Sequence, residues 1–219
     1  MTSRPTTAAP RITTVRLPEL AAGDVDGLDY DVSVDAESYR AADLTGRNLA
    51  GATFSDCEFA DVIFDDADLR AARFNDCVLT RVNAPVLKAS RSSWRGVEIA
   101  QSRIGSGELY DSNLNSLHVS HCKIGYLNLR GSTLRDVLFS DCTIDELDLG
   151  GAKATRLAFV DSSIRLLDAT RATFAHFDVR GAELRGIRGI DSLRGVTMTE
   201  FQLAELSPLF AEHLGITIG

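Results

Sequence analysis

Several residue types are scarce in this chain, and each scarcity narrows what the protein can be. Of 219 residues, four are cysteine, five proline, two methionine and one tryptophan. Cys57, Cys77, Cys122 and Cys142 show no zinc-ligand spacing. No apolar run reaches the 18 residues that a membrane-spanning helix needs. Residues 1–23 contain Arg4, Arg11 and Arg16 but no apolar stretch of signal-peptide length, so a cytoplasmic protein is expected. Acidic side chains outnumber basic ones, 31 to 23, and no basic stripe is present, which disfavours direct binding of nucleic acid. The helical period of 3.6 and the strand period of 2.0 are missing too.

What is present is a period of five. From Leu44 to Leu184 a large apolar residue returns at every fifth position (Leu44, Leu49, Phe54, Phe59, Phe64, Leu69, Phe74 and onward), with Ala84, Ala89, Ala154 and Ala169 as the four departures among 29. A fixed period that fits neither regular element points to a stacked repeat. A second apolar frame runs two residues ahead and sorts into columns at steps of 20. One column, Ala52, Ala72, Ser92, Ser112, Ser132, Ala152, Ala172, is uniformly small; its neighbour, Cys57, Cys77, Val97, Leu117, Val137, Leu157, Phe177, is mostly bulky. Four five-residue sides therefore make one coil of square cross-section. With 44% hydrophobic and 25% charged residues the chain suits one domain whose core is spread along an axis.

Ala42-Asp43-Leu44-Thr45-Gly46, Ala67-Asp68-Leu69-Arg70-Ala71 and Ala182-Glu183-Leu184-Arg185-Gly186 resemble the unit of the pentapeptide repeat family. The resemblance covers about residues 42 to 186. It implies an all-β solenoid, a right-handed quadrilateral β-helix, here of about seven coils with a short C-terminal helical cap. Fold alone does not assign function.

Three parts are expected: residues 1–38 as a lead and amino-terminal cap over the open first coil, 39–190 as the β-helix, and 191–219 as a helical cap and dimerisation segment. Thr199 reads as an N-cap, and Ser207-Pro208 as the start of a second short helix that stops at Gly215, followed by a strand at Ile216-Thr217-Ile218. Leu203, Leu206, Phe210 and Leu214 are the candidate contact of a two-fold homodimer; the resemblance to quinolone-resistance members implies the same end-to-end arrangement. Within the core, the cysteines read as small reduced hydrophobes. Trp94 reads as a core filler, Arg47 as an exception solvated near the cap, and Gly107 as a gap with no evident filler.

Charge is the main surface signal. Residues 24 to 76 hold 14 acidic and four basic side chains, so the whole excess lies on the lead and the first coils. Asp56, Asp61, Asp65, Asp66, Asp68 and Asp76 form a candidate acidic patch for a protein partner. Two readings stay open: an interaction scaffold with an unidentified partner, and the DNA-mimicking binding of DNA gyrase or topoisomerase IV that the resemblance implies. An enzyme is disfavoured and no cofactor is expected. His118 and His121 point outward, and His121 stacks in one column with Asp141 and Asp161, but a convex rod face gives a metal or substrate no pocket.

Overall fold

A computed structural model describes residues 7–217. The five-residue frame points inward along its whole length and makes one core from Val34 and Tyr39 to Val179 and Leu184. Each frame residue lies against the one twenty positions on. Phe54 pairs with Phe74, Phe59 with Leu79, Ile124 with Ile104 and Ile144, and every strand pair is parallel. The chain is a β-solenoid with four faces, centred on the columns of Phe54 (face A), Phe59 (face B), Phe64 (face C) and Leu69 (face D).

The ladder on face B passes through ten strands, from Ala21–Ala22 at one end to Val196–Thr197 at the other. Ten strands make about nine turns and a rod of about 43 Å at the usual strand spacing, where the repeat alone predicts about seven. The extra turns come from residues without the repeat: Ala21 pairs with Glu37 and Phe177 with Val196, at separations of sixteen and nineteen residues.

A square coil must bend sharply, and the corners explain much of the surface composition. From Asp31 to His176 the residue two after each frame position adopts a left-handed conformation along the A–B, B–C and D–A edges. Asp tolerates that conformation better than most residues, because its short side chain can bond locally. Asp31, Asp56, Asp61, Asp66, Asp76, Asp111, Asp136, Asp141 and Asp161 all occupy it. The C–D edge is left-handed at Gly46 and Asp66 and not afterwards. From Val86 on, a β-branched residue that would be strained there, continuous strands such as Asn83–Lys88 and Arg103–Glu108 cross the edge instead.

Inside, aromatic rings stack coil on coil: Phe54 on Phe74 at 5.2 Å, Phe74 on Trp94 at 4.2 Å, Phe139 on Phe159 at 5.3 Å. Trp94 is 1% exposed, and its indole N–H donates to Ser92 Oγ at 2.7 Å. The small inner columns also satisfy the corners. Amides of Val82, Ser92, Ser112 and Cys142 donate to the hydroxyls of Ser102, Ser112, Ser132 and Ser162 one coil on, and the Ser102 amide to Cys122 Sγ. A buried N–H left without a partner is costly, so these residues do more than fill space. Leu127, Ile104 and Leu109 close over Gly107, which accounts for its gap.

Both ends are sealed. At the first coil Leu28 is buried, Val25 and Val32 pack beside it, and Gly23 lies flat on the Tyr39 ring where a Cβ would collide. Arg47 reaches this cap, bonding Leu28 O and Asp26. At the far end one helix, α1, spans Glu200–His213. Thr199 and Gln202 form a capping box, and Gln202 Nε2 donates to Val179 O and Ala182 O at 2.6 Å each, which satisfies carbonyls of the last coil.

The two short helices expected here are one. Pro208 sits inside α1, and Ser207 Oγ donates to Ala204 O, the carbonyl that the missing Pro208 amide would have met. Gly215 ends the helix in a left-handed turn, with Ile216 N–H on Ala211 O. Ile216 and Thr217 belong to no strand, and Ile218 lies outside the described residues.

The lead divides in two. Residues 21–35 form the cap, whereas residues 7–20 run lengthwise along the A–B edge as a strap. Its bonds step along the coils: Ala8 N–H to His176 Nδ1 (3.2 Å), Arg11 N–H to Asp136 Oδ1 (2.8 Å), Thr13 N–H to Ser116 Oγ (2.9 Å) and Val15 N–H to Glu98 Oε1 (3.0 Å). Thr7 and Thr197 hydroxyls meet at the far end. Four coil steps in seven residues is about 2.7 Å per residue, near the rise of a strand and far above a helix.

Candidate interaction surface

The six acidic candidates do not lie on one face. Asp56 and Asp76 occupy the A–B edge, Asp61 the B–C edge, and Asp65, Asp66 and Asp68 surround the C–D edge of the same coil. The fold gathers the last three and separates them from the others. Four of the six (Asp56, Asp61, Asp66, Asp76) are left-handed corner residues, so backbone conformation already gives a reason for Asp at each.

Basic neighbours neutralise half of them. Arg81 grips Asp61 with two bonds of 2.7 Å, Lys88 Nζ lies 2.5 Å from Asp66, and Arg70 reaches Asp68 at 2.6 Å. The Arg81 and Arg70 guanidiniums hold the Asp61 and Asp68 carboxyls below the usual carboxylate range. Asp56, Asp65 and Asp76 have no ion-pair partner among the described residues.

His118 and His121 part company. His118 Nε2 sits 2.8 Å from Ser140 Oγ, and burial lowers its pKa. His121 faces Asp141 at 3.8 Å, with both side chains about half exposed. No cluster of three metal-ligating side chains occurs among the described residues. The thiols are buried and unbridged. Contact with Cys57 and burial hold Cys77 well above the ordinary thiol range, and Cys142 stands likewise against Cys122.

The helical end is apolar outside as well as inside. Leu206 is 3% exposed and packs on the core, so it seals the rod, and Phe210 is partly buried beside it. Leu203 (50%) and Leu214 (69%) are exposed, and so are Phe201 (70%) and Ile216 (56%), which sequence reasoning passed over.

A square coil of five-residue sides now stands beside an independent sequence match. Residues 40–76 fit the family model of pentapeptide repeats, in eight copies. Residues 40–76 are therefore pentapeptide repeats. The repeat architecture continues well past the matched segment, to Leu184. No curated protein sequence matches the chain. Among solved structures it is similar to HetL, a pentapeptide repeat protein involved in heterocyst differentiation regulation from the cyanobacterium Nostoc. Identity is 16% over 78% of this chain and 90% of HetL, with a TM-score of 0.35. It is also similar to full-length QnrB1, a plasmid-mediated fluoroquinolone resistance protein. There identity is 19% over 89% of this chain and 95% of QnrB1, with a TM-score of 0.39. These likenesses concern the fold alone.

The acceptors of the strap were missed by sequence reasoning. Glu98, Ser116, Asp136 and His176 come from four coils. The legible signal was the column of Asp56, Asp76, Gly96, Ser116, Asp136, Arg156 and His176, polar or small at every step of 20.

Proposed function

We propose that this protein is a non-enzymatic interaction rod, which binds a basic protein surface through its acidic amino-terminal coils. The observation that carries this reading is the presence of Asp56, Asp65 and Asp76, without ion-pair partners among the described residues, inside a stretch with a net charge of −10. Like charges stacked along one edge cost stability, so conformational need alone favours Asn or Gly there equally well. The reading without catalysis is supported by the cavities: the enclosed ones are lined by core side chains such as Phe64, Trp94 and Leu127, and the larger depressions are open to solvent. Replacing Asp56, Asp61, Asp66 and Asp76 together by Asn tests the proposal, because the partner is then lost while the fold stays.

A type II topoisomerase is the second reading. Carboxylates repeating at a coil rise of about 4.8 Å offer a DNA-binding saddle a charge spacing comparable with the roughly 3.4 Å axial spacing of phosphates on one strand. The spread of the aspartates over three edges, with Asp61, Asp66 and Asp68 paired to basic neighbours, shortens any such row, which places the broader reading first. Supercoiling by purified gyrase, titrated with the protein with and without a fluoroquinolone, decides it: inhibition or drug rescue supports the topoisomerase, and no effect in either condition removes it. Phe201, Leu203, Leu214 and Ile216 would join two rods end to end. Light scattering at micromolar concentration gives twice the chain mass if they do, and the mass of one chain if they do not.

A further inference from the structure

We infer that the A–B edge is a docking track for an extended polypeptide, and that the strap of residues 7–20 is a resident occupant which a segment of a partner protein can replace. Three observations point there. Recognition is through main-chain groups: the amides of Arg11, Thr13 and Val15 meet side-chain acceptors on successive coils, Asp136, Ser116 and Glu98, so the track reads extended backbone at alternate residues. This is the manner in which sheet edges capture peptides, with a column of side chains in place of a strand edge.

Next, the strap covers the edge. Along the B–C and D–A edges the corner residues from Arg91 to Asp161 are all exposed, whereas Gly96 and Asp136 on the A–B edge are buried and Ser116 and Arg156 half-buried. Asp136 is 6% exposed and held by Arg156 in two bonds of 2.5 and 2.7 Å, which leaves its Oδ1 aimed at the strap amide. Pro10, Ile12, Val15 and Leu17 are half-buried while Arg11, Thr13, Thr14 and Arg16 face solvent.

Lastly, the strap adds no strand to the ladder and no side chain to the main core, so it can leave while every coil keeps its pairing. The occupant that fits is therefore an extended segment with small or β-branched apolar residues, a basic residue between them to suit Glu98 and Asp136, and free amides at alternate positions. A tethered strap competes at an effective concentration on the order of millimolar. A free segment must overcome that competition in the intact chain and need not once the strap is weakened.

The test uses the full-length chain. Arg11→Pro with Thr13→Pro deletes two donor amides without touching a coil. A fluorescein-labelled synthetic peptide of residues 7–20 is titrated against both proteins by anisotropy. It should bind the double-proline variant at least about tenfold more tightly than the unaltered chain, and adding Glu98→Ala and Ser116→Ala to that variant should abolish binding. Hydrogen exchange on the unaltered chain is the second readout: the amides of Arg11, Thr13 and Val15 should exchange at least about a hundredfold faster than that of Phe139 in the ladder, by local opening. The inference is overturned if the folded variant binds no peptide, if both proteins bind it equally, if loss of the two acceptors changes nothing, or if the strap amides exchange as slowly as the core. A strap exchanged between copies, seen as a dimer of the unaltered chain that free peptide dissociates, would overturn the assignment to a foreign partner.

Discussion

Replacement of Trp94 by alanine probes the stacked core at its largest side chain. The indole is 1% exposed, lies on Phe74 with rings 4.2 Å apart and 13° from parallel, and donates to Ser92 Oγ. Truncation leaves a cavity in the middle of the rod that neighbouring coils cannot close without losing register, so the loss should be about 3–5 kcal/mol. The orphaned hydroxyl adds little, because Ser92 Oγ also donates to Ala89 O. With a urea slope of about 2 kcal/mol/M the midpoint should drop by about 2 M. Circular dichroism is the readout, since the variant lacks the only tryptophan. Trp94→Phe keeps an aromatic in the stack and should lose less than half as much. A midpoint for Trp94→Ala within about 0.3 M of the unaltered protein would refute the packing argument.

Corner chemistry predicts that Asp141→Gly changes stability by less than about 0.5 kcal/mol, whereas Asp141→Val costs about 1–2 kcal/mol by forcing a β-branched residue into the left-handed region; urea melts distinguish them. Stability should fall with acid in two stages. Burial lowers the His118 pKa, so below about pH 6.5 the unfolded chain takes up a proton that the folded one resists. Arg156 and Arg81 hold the Asp136 and Asp61 carboxyls low, a contribution complete above about pH 4 and lost as pH falls through the lowered values. A urea midpoint unchanged from pH 7 to pH 3 contradicts both. Ellman's reagent should titrate four thiols in guanidinium and none promptly in the native protein, because all four are buried with no exposed thiolate. Leu206→Ala should cost about 2–4 kcal/mol by thermal melting, while Leu203→Ser stays within about 0.5 kcal/mol, because one seals the rod and the other faces solvent.

The core was legible because one constraint repeats at every turn: only the inward positions exclude water, so the period of five and the columns of 20 mark faces, rings and the burial of Trp94 directly. Arg47 and Thr199 could be placed for a related reason, each being a local break in a regular pattern. What the repeat does not govern was harder to read. Extra turns arise where Ala21 and Val196 join the ladder without the frame. Pro208 stays inside a helix because the Ser207 hydroxyl replaces its lost donor, a tertiary detail that propensity does not carry. The strap depends on four acceptors spaced through 78 residues of chain and has no period of its own. Of the acidic candidates, position on an outward corner was readable, but partition over three edges and pairing with Arg70, Arg81 and Lys88 required the folded register.

Whether the acidic corners serve a partner or the backbone alone is tested most directly by quantitative affinity capture from cells with two baits, the unaltered chain and the Asp56→Asn, Asp61→Asn, Asp66→Asn, Asp76→Asn variant. Asn accepts the left-handed corner as Asp does, and the two surface ion pairs that are lost, Asp61–Arg81 and Asp66–Lys88, are each worth under about 1 kcal/mol, so both baits fold alike by circular dichroism. The account predicts a protein captured by the unaltered chain, competed away by salt and depleted at least about tenfold on the variant. Equal capture by the two baits would contradict it and leave the aspartates as corner residues alone.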